Sequence, residues 1–386
     1  MDDDPGDEAV VDDVADHAVA DSGWRNVALI LTPGQPANQL LRAALAAAAL
    51  LVSLSTLLML LQTYPRTVDL EIPLRAAERW LHGQAPYLAS SFASRSGPDQ
   101  PFLYPPFVLP LLGLAASMPR IAVVMPWALA CLGAACWSCR RLGIRALWWL
   151  PVLAWPPFAQ ALLGLNVQIL LFAAYVALFW EAPGQVGPPR ERDLSRTRRP
   201  VIDGLFAVGI AALKTSQVQP WVYLLRRRPH AALAGAAVAA LLVAATVPLT
   251  GLSLWPAWLA QAERAAQPGA IGGISLFNLL PAPLGLVLVA ACLVLVFVVP
   301  PRHGGAWIGL LTLIASPNLH FFGLLFALPA LLLVRREIAL VAAVSIGLYT
   351  MSGAWIGISL ATLALLLSTV LPDLLEPTKL EGSRVA

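Results

Sequence analysis

Residues 63–119 read TYPRTVDLEIPLRAAERWLHGQAPYLASSFASRSGPDQPFLYPPFVLPLLGLAASMP, the only long segment between apolar runs that mixes carboxylates, aromatics, prolines and bases. The rest of the chain is nearly all apolar run or arginine-rich turn. Acidic side chains are costly in hydrocarbon, so reactive polar groups of a membrane protein belong in a stretch of this kind. Which side of the membrane it faces depends on the runs around it.

Of the 386 residues, 58% are hydrophobic and 12% charged, with a mean hydropathy of +0.73. A single soluble core cannot hide that much apolar surface, and the chain reads as an all-α polytopic membrane protein. The 33 prolines and 13 tryptophans suit broken membrane helices with interfacial anchors. Acids crowd the N-terminus and arginines the short turns, which does not point to nucleic acid. Cys131, Cys136, Cys139 and Cys292 all lie inside apolar runs. The C-W-S-C spacing from Cys136 has no soluble redox unit around it, so small apolar packing accounts for the pair.

Residues 1–38 carry nine acids and no basic start or small-residue cleavage site, and read as a disordered cytoplasmic tail. The run Leu40 to Leu61 is long enough to cross at about 20 residues, and Arg25 and Arg42 beside its start hold that end inside. Residues 63–120 then emerge on the extracytoplasmic side. Within them Leu70, Leu74, Ala77 and Leu81 share one helical stripe and Glu71, Arg75, Glu78 and His82 another, which predicts an amphipathic helix on the membrane surface. Glu78, Arg75 and Arg79 have the spacing of pairs within that helix. Phe102 to Met118, with Pro105, Pro106 and Pro110, is slightly short for a span and reads as juxtamembrane or re-entrant, a short span being the other reading.

Arginine placement orders the remaining runs. Ile121 to Cys139 returns inside at Arg140, Arg141 and Arg145; Leu147 to Leu163 and Leu165 to Trp180 form a hairpin back to the loop at 183–200 with its five arginines. Val201 to Leu225, bracketed by Arg199 and Arg226 to Arg228, is a tight hairpin with Lys214 near its tip. Ala231 to Val247 and Leu284 to Val299 flank a second external loop. Ala306 to Val334 is a hairpin turning at S-P-N-L-H (Ser316 to His320), and Ile338 to Leu371 makes the last pair. The expected architecture is a bundle of about twelve spans over 39–372, with both termini, including the tail 373–386, cytoplasmic. Eighteen of the 25 Lys and Arg residues are then inside.

On that topology Asp69, Glu71, Lys214 and His320 approach one face although they are far apart in sequence. Asp69 reads either as a helix N-cap or as a general base for an acceptor hydroxyl, and Glu71 either substitutes for it or is solvated. Tyr87 and Tyr104 stack on a ring or anchor in the interface. Lys214 snorkels to headgroups or meets an anion, for which a phosphate is the natural partner; Gln217 and Gln219 add polarity on the same tip. His320 exchanges protons near neutral pH or is merely hydrogen-bonded. Asn166 and Gln168, at an outer turn, bind a sugar hydroxyl or satisfy a broken helix. No phosphate-binding glycine loop, zinc spacing or fixed-period repeat is present. Asp69 and Glu71 are close enough to hold a divalent ion only loosely, and no metal or cofactor is assigned.

The pieces V-D-L-E-I-P-L-R-A-A-E-R-W-L-H-G-Q-A-P-Y from Val68, F-L-Y-P-P-F from Phe102, A-A-L-K-T-S-Q from Ala211, L-L-R-R-R from Leu224 and S-P-N-L-H-F-F from Ser316 together resemble glycosyltransferase family 87, the polyprenol-phosphate-mannose-dependent enzymes of the GT-C superfamily. The resemblance implies a GT-C-like bundle with an extracytoplasmic site; arginine and alanine richness and short loops suggest a bacterial inner (plasma) membrane. Such enzymes move mannose, or in some relatives arabinofuranose, from a polyprenyl phosphate to a glycolipid or cell-envelope glycan. It further implies that Asp69 is the base, that Lys214 faces the donor phosphate and that His320 assists proton transfer. Beside these, Glu71, Tyr87, Tyr104, Asn166, Gln168, Gln217 and Asn318 are the expected substrate contacts. The implied partners are a lipid-linked donor, a glycolipid or glycan acceptor and membrane lipids. The competing class is a transporter or flippase for a lipid-linked substrate, in which the same polar residues line a path.

Overall fold

The computed structural model describes residues 36–93, 97–180, 200–214, 217–267, 270, 273–300 and 303–370. Every regular element among them is a helix. The acidic tail up to residue 35, the arginine-rich loop at 183–199 and the tail at 373–386 fall outside the described residues.

Helix α1 (Pro36–Thr63) has 28 residues, about 42 Å of helix against about 30 Å of hydrocarbon. It begins three residues inside the stretch expected to be tail. Pro65 and the left-handed Thr67 (φ 61°) end it and start α2 (Val68–Leu81), the expected amphipathic helix. The apolar face of α2 is wider than the predicted stripe: Val68, Ile72 and Ala76 are buried along with Leu70, Leu74 and Ala77, while Leu81 is 50% exposed. Helix α3 (Leu109–Ala116) packs back onto α2, where Gly113 lets the Trp80 ring approach. With the turn before it, α3 makes an 11-residue apolar segment, Pro106–Ala116, about 16 Å long and too short to cross alone.

The acidic residues of α2 find partners outside their own helix. Arg120, at the start of α4 (Arg120–Arg141), bonds Glu78 at 2.6 Å and Glu71 at 3.5 Å, and Arg75 reaches Asp99 at 3.1 Å. The predicted pairs within α2 are not made among the described residues, because a tertiary cation lies closer to these carboxylates than their helical neighbours do.

Helices α5 (Trp149–Ala154) and α6 (Pro156–Gly164) form one apolar run bent by 73° at Trp155, where Pro156 cannot donate to the preceding turn. Leu165, in the left-handed conformation, reverses the chain into α7 (Gln168–Phe179). Helices α8 (Pro200–Leu213) and α9 (Gln219–Arg227) make the tight hairpin, closed at its base by Arg228 and Asp203 at 2.9 Å. Helix α10 (Pro229–Thr250) crosses α8 at Gly204 and Gly235, with backbone against backbone. Then come α11 (Leu254–Ala265), α12 (Ala282–Val296), α13 (Gly304–Ile314), a 3-10 segment (Phe321–Ala327), α14 (Leu328–Leu333), α15 (Arg336–Gly347) and α16 (Met351–Val370).

Among the described residues four stretches are long and apolar enough to cross a membrane, Gln39–Leu81, Arg120–Arg141, Pro229–Thr250 and Met351–Ser368, and the bent α5–α6 pair is a fifth if it crosses as one span. Several other runs that the twelve-span reading counts are helices of 10–17 residues, cut short by proline, glycine or a polar turn. Large apolar side chains face outward on many helices, among them Leu111, Leu129, Leu241 and Leu286, as expected where the surrounding medium is lipid. The largest core gathers Phe158, Phe172, Tyr175 and Phe326 from α6, α7 and the 3-10 segment, with Phe172 and Tyr175 each meeting Phe326 edge-on. This core is the floor on which the polar turns rest.

Candidate active site

Asp69 is the second residue of α2, and Thr67 stands at the cap position, so Asp69 is not the N-cap. Its carboxylate turns instead towards the start of the 165–168 turn. Tyr64 Oη donates to Asp69 Oδ2 at 3.2 Å, and the Asn166 side chain is its other polar neighbour, placed to favour the charged carboxylate. Asn166 manages this because its Oδ1 is taken by the Gln168 backbone N–H at 2.8 Å, which leaves its NH₂ group to donate. Gly164 makes the close approach possible: a Cβ there would collide with Asp69 Oδ2.

Three further turns converge on the same place. Asp69, Tyr104, Asn166, Lys214, Gln219, Asn318 and His320 line one cavity of about 390 Å³. Lys214, at the tip of the α8–α9 hairpin, lies 4.5 Å above the Phe322 ring, and Phe322 stacks on His320 with centroids 5.2 Å apart. The turn Ser316 to His320 is clamped by the segment before α12: Ile274 N donates to Leu319 O at 2.8 Å and Ser275 Oγ to Ser316 O at 2.7 Å. The Asn318 amide, in the orientation its neighbours require, donates to the Ala265 carbonyl, so it ties the turn to α11. Helix α11 also holds the 87–104 segment, with Trp258 Nε1 on Leu103 O at 3.0 Å and Gln261 Nε2 on Leu88 O at 3.3 Å.

Burial sets the charges of the outlying groups. It pulls the Lys214 ammonium down to about 8, opposed by the Asp69 carboxylate. Burial first, and the Lys214 charge second, pull the His320 imidazole down to about 4. At neutral pH the cavity therefore holds a cationic lysine and a neutral histidine. Burial and Asp69 raise the Tyr104 phenol, which stays a protonated donor.

A second cavity, about 580 Å³ and almost wholly apolar, opens on the other side of Asp69. It is lined by Leu70, Leu74, Leu111, Leu114, Val123 and Trp127 among others. Asp69, Tyr104 and Leu213 border both spaces.

Four residues expected at the site lie elsewhere. Glu71 faces Arg120, about 200° around α2 from Asp69 because i and i+2 do not share a face, so the two carboxylates do not converge on an ion. Among the described residues no three His, Cys, Asp or Glu side chains gather as metal ligands. Tyr87 stacks on Phe102 and donates to the Tyr104 carbonyl at 2.8 Å, a support behind the cavity wall. Gln168 and Gln217 are buried against each other, their amides 3.3 and 3.4 Å apart in both directions.

Tyr64, Gln160 and Gly164 are not singled out by the sequence, which points to Gln217 and not Gln219 as the substrate contact of the hairpin tip. Gln160, which is buried, accepts the Phe322 N–H at 3.1 Å and neighbours the half-buried Tyr64, so the two side chains lie between the His320 turn and Asp69. A lone glutamine in an apolar helix was the available signal, since a buried amide needs a partner.

A helical membrane protein with a carboxylate, a lysine and a histidine around one cavity has the parts of an acid–base group-transfer enzyme. Residues 102–302 match the profile of glycosyltransferase family 87. That is more than half of the chain, which belongs to this family and is a membrane glycosyltransferase. Asp69, Asn318 and His320 lie outside the matched range. No curated protein and no solved structure matches the chain.

Proposed function

We propose that this protein transfers a hexosyl residue, mannosyl in the first instance, from a polyprenyl phosphate to a hydroxyl of a glycolipid or cell-envelope glycan. In this reading the site is on the extracytoplasmic face of a twelve-span protein of the inner (plasma) membrane, with both termini inside. The observation that carries the proposal is the position of Asp69 and Tyr104 between a cavity into which several polar side chains are gathered and a groove that is almost wholly apolar. A lipid-linked sugar has the same two parts, a hydroxylated head and a hydrocarbon tail, joined at a phosphate. A soluble nucleotide donor would leave the groove without an occupant.

The chemistry follows from the groups present. The acceptor oxygen attacks the anomeric carbon while the Asp69 carboxylate takes its proton. The bond from that carbon to the phosphate oxygen breaks, its electron pair stays on the polyprenyl phosphate, and attack opposite the leaving group inverts the anomeric centre. The Lys214 ammonium offsets charge on the departing phosphate. The neutral imidazole of His320 contributes hydrogen bonds, not a full charge. General-base catalysis of this kind is worth about 10²–10⁴-fold.

The test is transfer of radiolabelled mannose from polyprenyl phosphomannose to membrane glycolipids, by wild type, Asp69→Asn and Lys214→Ala at matched expression. Asp69→Asn should lose at least about 100-fold. Undiminished transfer by that variant would leave Asp69 a structural residue of α2. Transfer from an arabinofuranosyl donor alone would change the sugar and keep the reaction, and movement of the donor across vesicles without transfer would favour a flippase.

A further inference from the structure

The hairpin tip K-T-S-Q-V-Q, from Lys214 to Gln219, holds two glutamines. The fold separates them. Gln217 is spent on Gln168 in a closed pair of amides. Gln219 opens α9 and lines the same cavity as Lys214; it is 1% exposed, and its buried Oε1 has no hydrogen-bond partner among the described residues. A buried amide oxygen without a donor has lost its water and gained nothing in return, and a substrate donor able to bond it would recover that loss.

We propose that the Gln219 carboxamide reads a hydroxyl of the transferred sugar and so helps to set which sugar the cavity accepts. The proposal rests on the transferase reading above. A carboxamide both donates and accepts, as a hydroxyl does. Of the parts of a polyprenyl-phosphate sugar, the tail offers neither function and the phosphate only accepts, with Lys214 already available to it. The other amides of the cavity wall are engaged: Asn166 with Asp69 and the Gln168 backbone, Asn318 with Ala265, and Gln100 with a partner of its own. Lys214 and Gln219 sit on one turn, five residues apart, and phosphate and sugar ring are adjacent parts of one donor. The turn that meets the phosphate therefore also meets the sugar.

The experiment measures kcat/KM for polyprenyl phosphomannose and its 2-, 3-, 4- and 6-deoxy analogues, using the full-length enzyme in detergent as wild type, Gln219→Leu and Gln219→Met. A site built to bond a hydroxyl rejects the analogue lacking it strongly, so wild type should discriminate against one deoxy donor by about 100-fold or more. Both variants should lose about 10- to 100-fold on the parent donor yet treat that deoxy donor within about threefold of it, because the bond is missing in either case. Variants that lose activity equally on every donor, or a wild type indifferent to all four deletions, would overturn the role of Gln219 and leave the transferase standing. No transfer from any donor by wild type would overturn the transferase reading and this assignment with it. Should Gln219→Leu not accumulate in the membrane, Gln219→Met, closer to glutamine in length and flexibility, carries the comparison.

Discussion

Gly164→Ala adds a single methyl group, and the structure places that methyl against the candidate base. A Cβ on Gly164 would overlap Asp69 Oδ2, stand 3.1 Å from its Cγ and 3.2 Å from Tyr64 Cε1. Ordinary carbon contacts lie near 3.5–4.0 Å, so the carboxylate must retreat by on the order of 1 Å. Gly164 does not have a positive φ, so alanine fits the backbone and the whole effect falls on Asp69 and Tyr64. Overpacking of this size costs about 1–3 kcal/mol of stability, a loss a folded enzyme can survive. A misplacement of about 1 Å in a catalytic group costs on the order of 100-fold. Gly164→Ala should therefore purify as a monodisperse protein in detergent and transfer sugar with kcat lowered about 100-fold, while the donor KM stays close to wild type because the Lys214 turn is untouched. Gly209→Ala is the control: nothing lies within 4 Å of its Cβ, and activity should not change. A folded Gly164→Ala enzyme with wild-type kcat would refute both the placement of Asp69 and its role as base.

Other perturbations reach the remaining parts. Lys214, drawn down to about 8, is cationic below that pH and neutral above it, so donor KM should be flat below pH 8 and climb as pH rises through it. Lys214→Arg should remove the alkaline climb in a KM-against-pH series, and an unchanged profile would show that the charge does not meet the donor. His320, drawn down to about 4, should not titrate between about pH 5.5 and 8 when its ring is followed by NMR of histidine-labelled protein; a midpoint near the ordinary value of about 6.5 would contradict its burial. At the α8–α10 crossing, a Cβ on Gly235 would lie 2.7 Å from Gly204 Cα and closer still to its carbonyl. Gly235→Val should lower thermal stability in detergent by at least about 1–3 kcal/mol.

The reading of the sequence was strongest where one residue's chemistry met one physical rule. A lysine in an apolar hairpin had to reach water or an anion, and Lys214 does line a cavity together with Asp69, Asn166 and His320. A carboxylate just past a long apolar helix could not lie in hydrocarbon, and Asp69 lies at the cavity edge. The reading was weakest for the amides. Asn166, Gln168, Gln217 and Gln219 all appear as polar residues at turns, yet two are spent on each other, one neighbours Asp69, and Gln219 has a buried Oε1 with no partner among the described residues. Polarity and spacing do not say which amide meets which: Gln168 and Gln217 pair across 49 residues of chain. The ion pairs of α2 failed for the same reason: helical spacing predicts local partners, and Arg120, 42 residues from Glu78, lay nearer.

Composition, hydropathy and arginine placement by themselves determined that this is an all-helical membrane protein, and its motifs pointed to its family, because the cost of polar groups in lipid acts on every residue in turn and leaves its mark along the chain. The tertiary structure alone decided that Asp69 is not a cap, that Glu71 belongs to Arg120, and that a cavity gathering polar side chains and an apolar groove meet at one carboxylate. Those facts depend on close approaches, such as Gly164 to Asp69, between segments whose separation in sequence carries no information about their separation in space.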